Sequence, residues 1–433
     1  MASLSARARP GALRARLAVL GCSAVAVAAL VGAPAGAAGA AATPPSNDTI
    51  PYNGTSAPGD HGWFQSGLQW IGDFGDPDIV VSGSTYYAYA SPVGGRELPV
   101  LTSTNLSTWT VRPNWSTSGH QPGDPGYDPT TDPSIPAPIR AMQDPGDPLH
   151  YNVFNNNDSL VTFASWGLED PQGAWIHKDY WAPGVAEIGG AWYAYSAVKV
   201  SNVFGDPYGR FCLTVAKAKS PLGPFRDASG GQPIQCEDQA AEPTGSIDPF
   251  PFHDPVSGHD FLLWKAAGAV GGAPSAIKSV ELDPTTGKPV AGATVHTLLT
   301  TNYAEAWEGQ TIENPSMVRY QGHTYLFYSA NNSNANASGH SKYATGYAIC
   351  AKGPRGGCSR PTPGTPLLAS QGKTEQGPGG SDGFLDLAGN LHVAYATFWV
   401  GETPRPGGLR PRRLHIATLT ADPSGVLTVT QRG

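Results

Sequence analysis

Three short segments each follow a carboxylate closely with a proline: Gly75-Asp76-Pro77-Asp78, Ser246-Ile247-Asp248-Pro249 and Glu313-Asn314-Pro315. Trp181-Ala182-Pro183 has the same form without an acid. Carboxylates can move protons in two ways, as an ionised base that activates water or as a protonated acid that protonates a leaving oxygen. One reaction can use both when the surroundings hold one group ionised and the other protonated. Asp-Pro is also common in ordinary turns, where the side chain caps the backbone, so one copy alone says little. Burying three such groups singly would be expensive, and gathered at one place they raise one another's pKa. Their meaning depends on what brings them together.

A repeat supplies the means. A glycine followed by bulky residues three and six positions later recurs at Gly83-Tyr86-Tyr89, Gly189-Trp192-Tyr195, Gly258-Phe261-Trp264, Gly322-Tyr325-Tyr328 and Gly389-His392-Tyr395. The successive glycines are 106, 69, 64 and 67 residues apart. Each copy reads as a turn glycine opening an aromatic-rich strand, and units of this period predict radial repetition of small sheets. The expectation is an all-β, five-bladed β-propeller; a β-sandwich would not return one motif at such intervals. In a propeller the inner strands line the axis, and the segment before each glycine is the candidate inner strand. Asp76, Asp248 and Glu313 fall seven, ten and nine residues before their glycines, which predicts three acids at equivalent positions.

These motifs, in order, resemble glycoside hydrolase family 43, over about residues 70 to 400. The resemblance implies a five-bladed propeller acting mainly on arabinofuranosides and xylosides with inversion. It implies Asp76 as general base, Glu313 as general acid, and Asp248 as the residue that orients the acid and tunes its pKa. Inverting hydrolysis asks for such a pair, with carboxyl groups about 6.5–9.5 Å apart to admit a water. No metal or organic cofactor is required. Many family members carry a Gly-His near Gly379-Gly380-Ser381 that helps hold an ion or water on the axis; Gly380 stands there in this chain, so no metal site is carried over and a structural ion is left open. The expected substrate is a plant polysaccharide or oligosaccharide. The alternatives are a retaining or fructan-active glycosidase of a related five-bladed fold, and a propeller that binds glycans without cleaving them.

Other residues compete for these roles. Glu308 lies five residues before Glu313 and could be taken for the acid. Asp78 alternates with Asp76, and an extended strand would put both on one face. Trp181 is the candidate floor of a sugar pocket, with core packing as its alternative. Gly379-Gly380-Ser381-Asp382-Gly383 satisfies the G-x-S-x-G pattern of serine hydrolases, but that motif needs a strand-to-helix turn in a chain whose other signals are all β.

Composition agrees with strands and loops. The 433 residues include 54 glycines and 41 prolines, and only 14% are charged, below the roughly 25% of an ordinary soluble domain. Residues 1–40 read as a secretory signal: Arg7, Arg9, Arg14 and Arg16 precede an apolar run from Leu17 to Val31, with Ala-Gly-Ala cleavage sites beyond. The expected location is extracellular. Removing these four arginines takes the net charge from −7 to −11, which gives no electrostatic reason to bind nucleic acid or an anionic membrane. The mature form is expected to be a monomer. Residues 41–60 read as a flexible tether, 61–433 as one catalytic propeller, and 110–178 as an insertion rimming the site. Four cysteines remain, and sequence order favours Cys212–Cys236 and Cys350–Cys358, although three connectivities are open.

Overall fold

The computed structural model describes residues 68–70, 73–92, 97–111, 159–160, 162–167, 180–200, 210–237, 245–266, 274–402 and 410–432. The signal and tether segments lie outside them, as does most of the 110–178 insertion. Among the described residues there is no α-helix; one 3-10 turn covers Gly353–Arg355, and no helix is long and apolar enough to cross a membrane.

The strands form five antiparallel sheets arranged as a β-propeller. A short strand, β1 (Leu68–Trp70), precedes the first sheet, which comprises β2 (Asp78–Ser82), β3 (Thr85–Tyr89), β4 (Val100–Ser103) and β5 (Thr110–Val111). The second has β6 (Trp181–Ile188), β7 (Ala191–Lys199), β8 (Phe211–Ala218) and β9 (Arg226–Asp227). The third has β10 (Ser246–Asp254), β11 (His259–Ala266), β12 (Ala276–Glu281) and β13 (His296–Thr300). The fourth has β14 (Ile312–Tyr320), β15 (His323–Ala330), β16 (Ala344–Cys350) and β17 (Cys358–Ser359). The fifth has β18 (Gln376–Leu385), β19 (Leu391–Phe398) and β20 (Arg413–Ala421), and both β21 (Leu427–Gln431) and β1 pair with β20. The sequence repeat did not disclose that last feature: a strand from before blade one is sewn into blade five, which ties the ring shut.

The predicted inner strands are β2, β6, β10, β14 and β18, and each touches the next around a closed circle. The aromatic repeat explains the packing. Residues three apart on a strand point to opposite faces, so each second strand feeds both of its neighbours. Tyr86 packs between blades one and five, and Tyr89 between one and two. Phe261 fills the interface of blades three and four, and Trp264 that of two and three. Tyr325 faces blade five, and Tyr328 blade three. Five apolar clusters thus occupy five interfaces, each buried aromatic contributing roughly 1.5–3 kcal/mol. Gly83, with φ of 59° and nothing within 4 Å of a Cβ, shows that the repeat glycine answers a backbone need rather than a packing one. The cysteines pair as Cys212–Cys236 and Cys350–Cys358.

Candidate active site

All five inner hairpins are interrupted at one place. Pairing runs Trp181↔Ala197 then Gly184↔Tyr195, Ile247↔Lys265 then Phe250↔Leu263, Glu313↔Ser329 then Ser316↔Phe327, and Gly379↔Ala396 then Asp382↔Ala394. In blade one Ser91 N–H donates to the Gly75 carbonyl, and Asp78 pairs with Tyr89. Each bulge leaves two residues opposite one, a device that re-aims side chains beside active sites. The first bulged residue has a left-handed backbone in every blade: Asp76 at φ 52°, Ala182 at 42°, Asp248 at 56°, Asn314 at 47° and Gly380 at 64°. Four of these precede proline, which restricts the backbone further, so each non-glycine holds strain of about 1–3 kcal/mol.

This register corrects the predicted equivalence of the three acids. Asp76 and Asp248 share the bulged position, but Glu313 sits one residue earlier, the counterpart of Gly75, Trp181, Ile247 and Gly379. It nevertheless joins the other two. A cavity of about 560 Å³ is lined by Asp76, Trp181, Asp248 and Glu313, together with Tyr343, Phe398 and Arg412. Asp73 and the loop residues Ser333, Asn334 and Ala335 complete part of its wall.

Asp76 is held on both oxygens. Arg412 Nη1 donates to Oδ1 at 2.7 Å and Nη2 to Oδ2 at 2.8 Å, while Ser91 Oγ–H donates to Oδ2 at 2.6 Å. Burial opposes the Arg412 charge, yet Asp76 outweighs it and holds the guanidinium pKa above its ordinary value. Gly75 makes room for this fork: a Cβ there would lie 2.0 Å from Arg412 Cζ. A bidentate guanidinium favours the anion and fixes its plane.

Glu313 is held differently. Lys265 Nζ donates to Oε2 at 2.7 Å and the Tyr343 hydroxyl to Oε1 at 2.7 Å. The same hydroxyl oxygen lies 2.8 Å from Asn314 Oδ1, and burial followed by the Glu313 charge raises the phenol pKa well above its usual value. Asp248 Oδ2 accepts the Asn314 N–H at 2.9 Å, gripping the backbone next to the acid. Burial first, then the Glu313 charge, pushes Asp248 up to about 8 against the opposing effect of Lys265. For Lys265, burial works against the charge but Glu313 and Asp248 prevail and hold its pKa above the usual lysine value.

The competitors fall away on geometry. Glu308 is fully buried, where it accepts hydrogen bonds from Tyr328, Arg360 and the Asn302 amide, and it does not line the cavity. Asp78 begins β2 and accepts the Val185 N–H at 2.9 Å; Asp76 lies ahead of that strand in a left-handed kink, so the two do not alternate along one extended face. Ser381 lies buried in β18, bonded to Thr345, with no strand-to-helix turn. Trp181 is 42% exposed and stacks on Phe211 with ring centroids 4.3 Å apart, an apolar shelf on the cavity wall.

Sequence reasoning missed Lys265, Tyr343 and Arg412. Lys265 interrupts the apolar run Phe261–Trp264, and Arg412 belongs to an arginine cluster in a charge-poor chain; both were visible signals. A histidine-held ion on the axis does not fit here. A Cβ at Gly380 would lie 2.7 Å from Asp76 Oδ1, and among the described residues no group of three or more His, Cys, Asp or Glu side chains is placed to hold a metal ion.

None of the curated proteins matches. Among solved structures, a thermostable family-43 glycoside hydrolase is 22% identical with a TM-score of 0.59, covering 87% of this chain and 97% of its own. An endo-1,4-beta-xylanase from Bacteroides thetaiotaomicron is 20% identical with a TM-score of 0.54, covering 84% and 95%. An alpha-L-arabinofuranosidase from Lactobacillus brevis is 16% identical with a TM-score of 0.55, covering 82% and 93%. At these identities the likeness establishes the five-bladed fold. The family described as Glycosyl hydrolases family 43 matches residues 153–422, a stretch that holds Trp181, Asp248 and Glu313 and begins after Asp76. That match spans more than half of the sequence, and the chain belongs to glycosyl hydrolases family 43.

Proposed function

We propose that the protein is a secreted, inverting glycoside hydrolase that cleaves arabinofuranosyl or xylosyl linkages in plant cell-wall polysaccharides or their oligosaccharides. The observation that carries this reading is the meeting of Asp76 and Glu313, from blades one and four, on one open cavity with Asp248 beside the acid. The pentose-active enzymes among proteins of the same fold support the choice of sugar. Asp76, oriented by the Arg412 fork, takes a proton from water as the water oxygen bonds to the anomeric carbon. Glu313 gives its proton to the glycosidic oxygen as the old carbon–oxygen bond breaks, so one water is consumed and two hydroxyls result. Asp248 supplies a neighbouring carboxyl that holds a proton at neutral pH and the backbone grip on Asn314 that aims the acid. Trp181 offers a ring face to the sugar.

Released-sugar assays on arabinan, arabinoxylan and nitrophenyl pentosides test this. Asp76→Ala and Glu313→Ala are each expected to lower kcat about 10²- to 10⁴-fold on the natural linkage. Full activity in either variant overturns the assignment. Proton NMR of the first-formed anomer is expected to show inversion; a retained anomer refutes the water-activating role of Asp76.

A further inference from the structure

The residue paired with the position just before each bulge provides an internal control across the five blades. At that seat blade one has Ser91, whose Oγ accepts the Ala182 N–H of blade two at 2.9 Å. Blade four has Ser329, whose Oγ accepts the Gly380 N–H of blade five at 2.9 Å. In these two blades the seat staples one blade to the bulged amide of the next, whereas blades two and five have Ala197 and Ala396 there. Blade three has Lys265 there instead. An ammonium cannot accept a hydrogen bond, so the corresponding amide, Asn314 N–H, goes to Asp248. Lys265 instead donates to Glu313 at 2.7 Å, with the lysine side chain 10% and the glutamate 12% exposed. Burying a cation is costly and is tolerated where anions face it. Among the five seats only this one is charged, and among the described residues its ammonium hydrogen-bonds the Glu313 carboxyl.

We propose that Lys265 is a positioning residue for the general acid, seating the Glu313 carboxyl and setting, with Asp248, how tightly the acid arm holds its proton. This rests on the reading of Glu313 as the acid. The groups around the arm are Asp248 from β10, Tyr343 ahead of β16, Asp76 ahead of β2 and Arg412 ahead of β20. With Asp248 pushed up to about 8, the arm at neutral pH consists of one cation, one proton and two carboxyls, and is neutral overall. The proton lies within the Asp248–Glu313 pair, and the ammonium limits how firmly that pair retains it. Without the cation the pair binds its proton more tightly and Glu313 loses one of its two anchors.

Aryl and alkyl pentosides of graded leaving-group pKa provide the test, since a dinitrophenolate departs without a proton and an alkoxide does not. Lys265→Met is expected to lower kcat about 10²-fold on the poorest leaving group and less than about 3-fold on the best. The alkaline limb of its kcat/KM profile is expected to move upward by about one pH unit. Lys265→Arg, which keeps the charge, is expected to retain the wild-type dependence on leaving group and the wild-type limb, and it decides the matter if the Met variant does not fold. A uniform loss over all leaving groups, an unmoved limb in Lys265→Met, or an Arg variant that behaves like the Met variant overturns the proposal. Glu313→Ala separates the two levels: if its loss ignores the leaving group, the acid assignment itself fails; if it depends on it and Lys265→Met does not, only the role of Lys265 fails.

Discussion

The two arms of the site hold the same functional group in contrasting ways. On the proposed base side, Asp76 takes both prongs of the Arg412 fork and receives Ser91 as well. On the acid side, Glu313 takes one donor per oxygen, from Lys265 and Tyr343, with a second carboxyl beside it. A guanidinium does not lose its proton in a protein and matches a carboxylate along two parallel bonds, which fixes its orientation. An ammonium is a point charge that leaves geometry to its neighbours, and a nearby carboxyl that favours protonation keeps an exchangeable proton within reach. In the mechanism we propose, the partner rather than the carboxylate distinguishes the base from the acid.

The comparison can be broken from the base side first. Arg412→Leu is expected to cost about 10²-fold in kcat irrespective of leaving group, because activation of water is needed for every substrate. Arg412→Lys is expected to recover only part of it, since the fork is lost. A leaving-group-dependent loss in Arg412→Leu, measured on the same graded series, would mean that the arms are not separate. A milder perturbation of the same arm is Gly380→Ala. Its Cβ would meet Asp76 Oδ1 at 2.7 Å and Asp76 Cα at 2.9 Å, so the base must shift, and a displacement of that order is expected to lower kcat roughly tenfold or more. Trp181→Ala touches neither arm. It is expected to raise KM a few-fold with little change in kcat, the pattern of lost uniform binding; an equal fall in kcat would place the ring in the transition state.

Much of this was legible in the sequence, for a physical reason. Aromatic pairs spaced by three must feed two faces, so the interfaces wrote themselves into a repeat, and the turn glycines marked its phase. The acids were found because they lie beside prolines at the ends of inner strands. Their register was misread because distance was counted from the turn glycine, and hairpin turns differ in length between blades: Asp76 stands seven residues from Gly83, Asp248 ten from Gly258. Counting from the proline puts Asp76, Ala182, Asp248 and Asn314 in line and Glu313 one place earlier. Tyr343 was not legible, since its bonds reach 29 and 30 residues back along the chain and no local pattern encodes them. Nor was β1, whose three residues pair with a strand near the other end.

The finest test asks whether proton storage belongs to the acid arm or to any buried carboxyl near the axis. Asp382 is the control. It occupies the place in blade five that Asp78 occupies in blade one, accepts the Ile79 N–H at 2.7 Å, and lies under the base arm. Burial pushes it up to about 7 against the opposing pull of that amide, and Asp78, facing it, is raised by burial and then by the Asp382 charge. A carboxyl whose folded pKa is raised keeps a proton that the unfolded chain has already released, so its favourable contribution is present at low pH and is lost as pH rises through about 7. Asparagine does not titrate and can still accept from Ile79. Asp382→Asn is therefore expected to gain stability relative to wild type as pH rises from about 4 to about 7, then level off, with a change in Tm of a few degrees across that window. Its kcat/KM profile is expected to keep the wild-type alkaline limb, in contrast to Lys265→Met. Paired thermal melts and rate profiles from pH 4 to 9 would decide it: a moved limb in Asp382→Asn would show that the two arms draw on one shared pool of protons along the axis.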